Sequence, residues 1–159
     1  MNILLEDGEV VFGELDEFLG NLIQRLPECA ESESEAARKR LFGPPTAGRD
    51  PEADEDWREV VEPEMRELFQ SHIDIVTEDL QGLEKHDGEH VLRVPVEHLP
   101  AWVHTLNQAR LALGAEYDVT EEDMSGHNLL LTDQSKGFAL LQIEVYGLIL
   151  GVLLRHMEE

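Results

Sequence analysis

Apolar residues recur every three or four positions over long stretches of this chain, a spacing that places them on one face of an α-helix. Pro27 follows the first stretch and should end its helix, whereas Pro63 stands where a first helical turn should begin. Gly114 marks the close of a third stretch. The spacing predicts four helices, at residues 14–26, 63–85, 95 or 100 to 114 or shortly after, and 135–156. The segment Val119-Thr120-Glu121-Glu122-Asp123 is typical of the capped, acidic start of a further short turn.

Strand-forming sequence is confined to short runs. Residues 2–5 and 9–12 flank Asp7-Gly8, a preferred two-residue turn between antiparallel strands. Residues 90–94, which follow Gly88, indicate a further strand that could join this hairpin. We therefore expect a mainly α fold, a helical bundle with a small N-terminal β-hairpin or three-stranded sheet, in a single domain covering residues 1–159.

An acidic stretch at about residues 28–58 lacks a sustained apolar period and contains Gly43-Pro44-Pro45. We expect it to lie on the surface, with one or two helical turns within residues 31–41 and with Leu41-Phe42 attaching it to the core. Its acids at residues 50–56 alternate as in a calcium-binding loop, but the glycine and the closing Glu of such a loop are missing. A solvated acidic run is therefore the favoured interpretation.

The chain carries 35 Asp and Glu against 12 Lys and Arg, a formal net charge of -23 at pH 7. Because nucleic acid is bound by cations that displace counterions from its phosphates, direct binding of DNA or RNA is not expected. Arg38, Lys39 and Arg40 form one basic cluster, which lacks an aromatic platform and suggests a charged helix end. We expect instead a protein partner with a basic surface.

Cys29 is the only cysteine, so no disulfide can form within the chain. The neighbouring Glu28 and Glu31 should raise the pKa of its thiol, which favours a passive thiol over a redox sensor. Residues 1–7 lack the basic and apolar parts of a secretory signal, and residues 138–154 are too short and too interrupted for a membrane span. We therefore expect a cytoplasmic protein that does not bind membranes.

The sequence contains no Gly-x-Ser-x-Gly elbow and no glycine-rich phosphate loop. His86 and His90, with two acids between them, are suitable ligand types for a divalent metal. Gly88 implies a turn there, in which the two rings need not converge. We expect a non-enzymatic protein without a cofactor; the alternative is a metal-binding protein or metal-dependent hydrolase that uses His86 and His90.

Two charged residues stand within apolar helices. Arg110 lies among leucines and alanines of the third helix, and Glu144 interrupts the last one. We hypothesise that they form a partly buried ion pair that fixes the register of the two helices; the alternative is that each side chain reaches water separately. Because the last helix is apolar nearly all round, we expect it at the centre of the bundle, or else at the interface of a homodimer.

Residues 101–123, AWVHTLNQARLALGAEYDVTEED, resemble a bacterial family known as a domain of unknown function. The resemblance rests on a Trp, a Leu-Asn-x-x-Arg-Leu-Ala-Leu-Gly run and an acidic Thr-Glu-Asp segment. The first two are here Trp102, Leu106, Asn107, Arg110, Leu111, Ala112, Leu113 and Gly114. A second and less specific block is similar at Arg40-Leu41-Phe42 and at Trp57-Arg58.

The resemblance implies a role rather than a reaction. The family is associated with AosR-like oxidative-stress regulators of transcription, which implies regulation in the cytoplasm, and it supplies no catalytic residue. With Cys29 alone, an internal disulfide switch is not possible. Such a regulator would act through a protein, such as a sigma factor or another transcription protein, because the acidic surface opposes DNA. The candidate partner-binding or structural residues are Trp102, Asn107, Arg110, Gly114, Glu144, Arg40 and Phe42.

Overall fold

Two β-hairpins join edge to edge into one antiparallel sheet. The computed structural model describes residues 1–125 and 134–158. The sheet order is β1-β2-β4-β3, with β2 and β4 paired at the centre. The strands are β1 (Asn2–Glu6), β2 (Glu9–Leu15), β3 (Glu84–His86) and β4 (Glu89–Pro95).

Each hairpin turns at an Asp-Gly pair in which both residues have a left-handed backbone. The φ angles are 49° at Asp7 and 78° at Gly8, and 52° at Asp87 and 84° at Gly88. Turns of this kind match the natural twist of antiparallel strands. The hairpin predicted at Asp7-Gly8 is confirmed. Asp87-Gly88 turns a second hairpin, so Glu84–His86 is a strand and not the end of the preceding helix.

Five helices lie between the two hairpins. Three of them begin at side-chain caps, where Asp16, Ser34 and Asp50 each accept a hydrogen bond from the backbone N–H three residues later. A π-helical turn, Trp57–Val61, connects the fourth helix to the fifth. The helices are α1 (Glu17–Gln24), α2 (Leu26–Ala30), α3 (Glu35–Phe42), α4 (Pro51–Asp56) and α5 (Glu62–Leu80).

Two expectations for this region are wrong. Pro27 does not end the first helix: α1 ends at Gln24, and Pro27 lies in the first turn of α2, where a missing backbone N–H costs nothing. The acids at residues 50–56 are also more ordered than a solvated run, because they form α4 and its N-cap and because Asp54 is buried. The helical turns expected within residues 31–41 are present as α3.

The second hairpin leads through a 3-10 turn, Val96–His98, into the C-terminal helices. Thr120 and Asp123 form the capping box predicted for the short acidic segment, in which each side chain accepts a hydrogen bond from the other residue's backbone N–H. These helices are α6 (Leu99–Glu116), α7 (Glu121–Met124) and α8 (Gln134–Met157).

Helix α6 occupies the centre of the helical layer and packs against α8, α5, α2 and α3. Its Trp102 and Leu106 are fully buried with Phe12 of β2 and Leu92 of β4, so that the sheet and the helices share one core. The fold is mainly α with a small four-stranded antiparallel sheet, as predicted in class.

Helix α8 is not the central helix that its apolar sequence suggested. One face packs on α6, but Leu148 on another face is 66% exposed. The sequence of the helix is apolar nearly all round because leucines are exposed on it as well, among them Leu141, Leu148 and Leu154. By length and hydropathy it meets the criterion for a membrane-spanning helix, although part of it is buried inside the protein.

Candidate functional site

A groove of about 1170 Å³ runs between α3, the loop after it and the start of α5. Five cations line it, and they come from segments up to 28 positions apart in the sequence. We call it the basic groove, and its cations are Arg38, Lys39, Arg40, Arg58 and Arg66.

The basic groove has the opposite charge balance to the rest of the chain. It holds five of the 12 Lys and Arg but only three of the 35 Asp and Glu. Acids outnumber bases nearly three to one in the sequence, so a local excess of cations is not what a random distribution of charge would give. The groove is therefore a positive site on a negative protein, and it should attract a small or narrow anionic group.

Four of the five cations form no ion pair with any described residue, although Arg58 acts on Asp54 at longer range and helps to lower the pKa of that carboxyl. Arg66 pairs with Glu62, at 3.4 Å between Nη2 and Oε1. Within the described residues, Arg38, Lys39, Arg40 and Arg58 form no ion pair and no side-chain hydrogen bond. Their side chains are exposed, so a ligand would not have to break an existing ion pair to reach them.

Two half-buried aromatic side chains lie in the groove beside these cations. The Phe42 ring is 5.2 Å from the Phe69 ring of α5, and the Arg66 guanidinium lies 4.2 Å above it. Trp57 Nε1 donates a long hydrogen bond of 3.5 Å to the Phe42 carbonyl. Phe42 thus attaches the acidic stretch to α5 through Phe69, whereas the buried residue of α3 is Ala37. The aromatic faces also give the groove an apolar surface that a ligand could cover.

The backbone around the groove is held by local interactions. Asp54 accepts hydrogen bonds from Thr46 N at 3.0 Å, Thr46 Oγ1 at 2.7 Å and Gly48 N at 2.7 Å. Burial acts to raise the pKa of Asp54, but these hydrogen bonds outweigh it and lower the pKa below its ordinary value. The acidic stretch thus contributes one structural carboxylate, which fixes the loop that borders the groove.

The two blocks that carry the family resemblance lie in different places. Arg40 and Phe42 line the basic groove, whereas Trp102 is buried in the core. Trp102 Nε1 donates a hydrogen bond to Asp79 Oδ2 at 2.9 Å. His98 Nδ1 lies 2.9 Å from both oxygens of the same carboxylate. Trp102 therefore fixes α6 against α5. Asn107 is exposed and does not have such a role.

Arg110 and Glu144 do not form the predicted ion pair. Arg110 Nε instead donates to the Ile143 carbonyl at 3.2 Å, with its guanidinium lying against Gly147 of α8. Glu144 is exposed. Arg110 still joins the two helices, but through the backbone. The same helix does not close at Gly114 but runs on to Glu116, and the Gly114 carbonyl accepts from Val119 N at 2.8 Å.

Cys29 is half-buried between two polar side chains. Gln142 Nε2 donates to its Sγ at 3.4 Å, and Tyr146 Oη lies 3.9 Å from the sulfur. Burial raises the pKa of the thiol, and Glu28 adds to the rise. A protonated thiol reacts slowly with oxidants, so this environment favours the passive role.

His86 and His90 are not brought together. His86 pairs with Glu89 and His90 with Lys85 across the second hairpin, which places the two imidazoles on opposite faces of the sheet. His86 Nε2 lies 2.9 Å from Glu84 Oε2, whereas His90 packs against Gly20. No cluster of three or more His, Cys, Asp or Glu suited to a metal occurs among the described residues.

Sequence reasoning missed the basic groove although it named several of its parts. The sequence around Arg38–Arg40 suggests a charged helix end, and nothing in it singles out Arg66. The hint was the pairing of Arg40-Leu41-Phe42 with Trp57-Arg58 in the second block, because residues that characterise a family in two nearby segments often meet in space.

Comparison with known proteins gives one result on family and none on activity. No curated protein and no solved structure matches the chain. The model of the family described as Domain of unknown function (DUF2017) matches residues 4–157, nearly the full length. The chain therefore belongs to the DUF2017 family.

Proposed function

We propose that this chain is a non-enzymatic regulatory protein that acts by binding another protein, and that the basic groove holds an acidic segment of that partner. One observation carries the proposal: four cations that form no ion pair in the described residues lie beside two aromatic side chains, on a chain of net charge -23. Cations and aromatic side chains are the residue types that contribute most to binding at protein interfaces.

A small positive groove on an otherwise negative protein favours a short protein segment over nucleic acid as the ligand. A duplex is longer than the groove and would place further phosphates along the rest of this acidic protein, which would repel them. A short acidic segment with an aromatic or apolar residue presents its carboxylates to Arg38 and Arg58 and its apolar side chain to Trp57. The rest of the acidic surface would then attract basic parts of the same partner, as the overall charge predicts.

The finer part of the proposal rests on resemblance. The chain resembles AosR-like oxidative-stress regulators of transcription, so we propose a partner in the transcription machinery, such as a sigma factor. The rival function, metal binding or metal-dependent hydrolysis at His86 and His90, has no support from the geometry of the second hairpin.

The test is a binding titration with a fluorescein-labelled peptide in which Asp and Glu alternate with Phe and Leu, followed by anisotropy. The wild type should bind, and the double variant Arg38→Glu/Arg58→Glu should bind about tenfold or more weakly because it reverses two groove charges. The matched control Lys85→Glu/Arg93→Glu changes the net charge equally but lies on the second hairpin, and it should bind nearly as well as the wild type.

Two outcomes would contradict the proposal. Equal weakening by both double variants would mean that the peptide responds only to overall charge. Tighter binding of a single-stranded oligonucleotide than of the peptide, abolished by Arg38→Glu/Arg58→Glu, would make the basic groove a nucleic-acid site.

A further inference from the structure

The outward face of α8 carries a stripe of residues at alternating four- and three-residue spacing, which we call the α8 stripe: Glu144, Leu148, Gly151 and Arg155. It lies on the side of the helix opposite the buried residues Tyr146, Ile149 and Leu153. This is the spacing of a seam between two paired helices, so the stripe has the geometry of a helix interface without a helix on it in the described chain.

Each residue of the α8 stripe is exposed and lacks a partner among the described residues. Leu148 is 66% exposed, the most of any large apolar side chain in the described residues. At Gly151, an added Cβ would meet no described atom within 4 Å. Glu144 and Arg155 form no ion pair with any described residue. The stripe thus offers a projecting side chain, an open space and two opposite charges.

The α8 stripe is complementary to a second α8 stripe that runs in the opposite direction. An antiparallel copy whose two-fold axis passes between residues 149 and 150 places Glu144 opposite Arg155 and Leu148 opposite Gly151. Each of these two contacts then occurs twice, as two-fold symmetry requires. We propose that two copies of this chain associate through the α8 stripe, antiparallel and in this register.

Other occupants fit the α8 stripe less well. A parallel copy would bring Glu144 beside Glu144 and Arg155 beside Arg155, which repel each other. A membrane would have to take up the charge of Glu144 near the middle of α8, while the opposite face of the helix is already covered by α6. The charge pattern matches a second copy without further assumptions, and it does not depend on what the basic groove binds.

The experiment is sedimentation equilibrium of the full chain over a dilution series at physiological salt, where long-range repulsion between two acidic copies is screened. The wild type should be in monomer–dimer equilibrium. Leu148→Glu should abolish the dimer, and Gly151→Leu should weaken it about tenfold or more by filling the space that Leu148 enters. Leu68→Glu, a matched change at an exposed leucine of α5, should leave the equilibrium unchanged.

Charge exchange tests the register. Glu144→Arg and Arg155→Glu should each weaken the dimer about tenfold, because each puts like charges together twice. The double variant Glu144→Arg/Arg155→Glu restores both ion pairs, so its dissociation constant should return to within about threefold of the wild type. Far-UV circular dichroism of every variant separates loss of association from loss of folding.

Three results would overturn the inference. The wild type could remain monomeric at every concentration, or the losses from the two charge reversals could simply add in the double variant. Flotation of the wild type with vesicles of anionic and zwitterionic phospholipid, lost on Leu148→Glu, would assign the stripe to a membrane surface instead.

Discussion

At the scale of single residues, Asp123 shows how one charged side chain can hold two neighbouring helices together. Asp123 of α7 accepts hydrogen bonds from Thr120 and pairs with Lys136 of α8, at 2.8 Å between Oδ2 and Nζ. The Lys136 hydrogen bond, helped by those from Thr120, lowers the pKa of Asp123 from 3.8 to about 2. The sequence predicted the Thr120–Asp123 cap from its spacing, but it could not predict Lys136, because that contact depends on how α8 packs.

The Asp123–Lys136 pair should stabilise the fold only while Asp123 is ionised. Because the folded pKa is below the unfolded one, its contribution is complete above about pH 4 and is lost as the pH falls through about 2. Lys136→Met should lower the free energy of unfolding at pH 7, and the difference from the wild type should shrink towards pH 2. Urea unfolding at both pH values measures this, with Lys85→Met as the control. An equal difference at both pH values would mean that Lys136 acts through packing.

At the scale of elements, local sequence predicts most of the helices and strands, whereas contacts between distant segments determine where several of them begin and end. The Asp7-Gly8 turn, the cap at Thr120 and the apolar period of α6 all follow from the sequence. β3 was missed because Glu84–His86 is exposed at every position and has no alternating pattern. The exposure of one face of α8 was not predicted for a related reason. The spacing of apolar residues does not show whether a helix face is buried or exposed.

Two glycines in helices should respond in opposite directions to the same change. At Gly20 of α1, an added Cβ would lie 2.6 Å from Nδ1 of His90, so Gly20→Ala must displace the imidazole and should destabilise the protein by about 1–3 kcal/mol. At Gly114 of α6, an added Cβ would meet no described atom within 4 Å beyond the backbone of its own helix, so Gly114→Ala should stabilise the protein by about 0.5–1 kcal/mol through helix propensity. Urea unfolding of both variants tests the pair. A stabilising Gly20→Ala would show that the contact between α1 and β4 yields easily.

At the scale of the whole molecule, the excess of carboxylates opposes folding because like charges are brought closer together. The described residues contain five ion pairs, and two of these involve histidine, which is charged only when protonated. Few attractive pairs therefore offset the repulsion that a net charge of -23 implies. The sequence predicted this imbalance in full, but it could not predict that five of the 12 cations would gather in the basic groove, since that depends on α3 and α5 meeting.

Salt should therefore stabilise this protein rather than weaken it. Raising NaCl from low ionic strength to about 0.15 M shortens the screening length to about 8 Å and removes long-range repulsion. The Tm should rise by roughly 2–4 °C for each kcal/mol of repulsion removed. Thermal unfolding of Leu148→Glu, which should remain monomeric, separates this effect from association. Sodium sulfate at equal ionic strength should give the same rise, and a much larger one would indicate exclusion of sulfate from the surface. A fall in Tm with NaCl would mean that the few ion pairs outweigh the repulsion among the carboxylates.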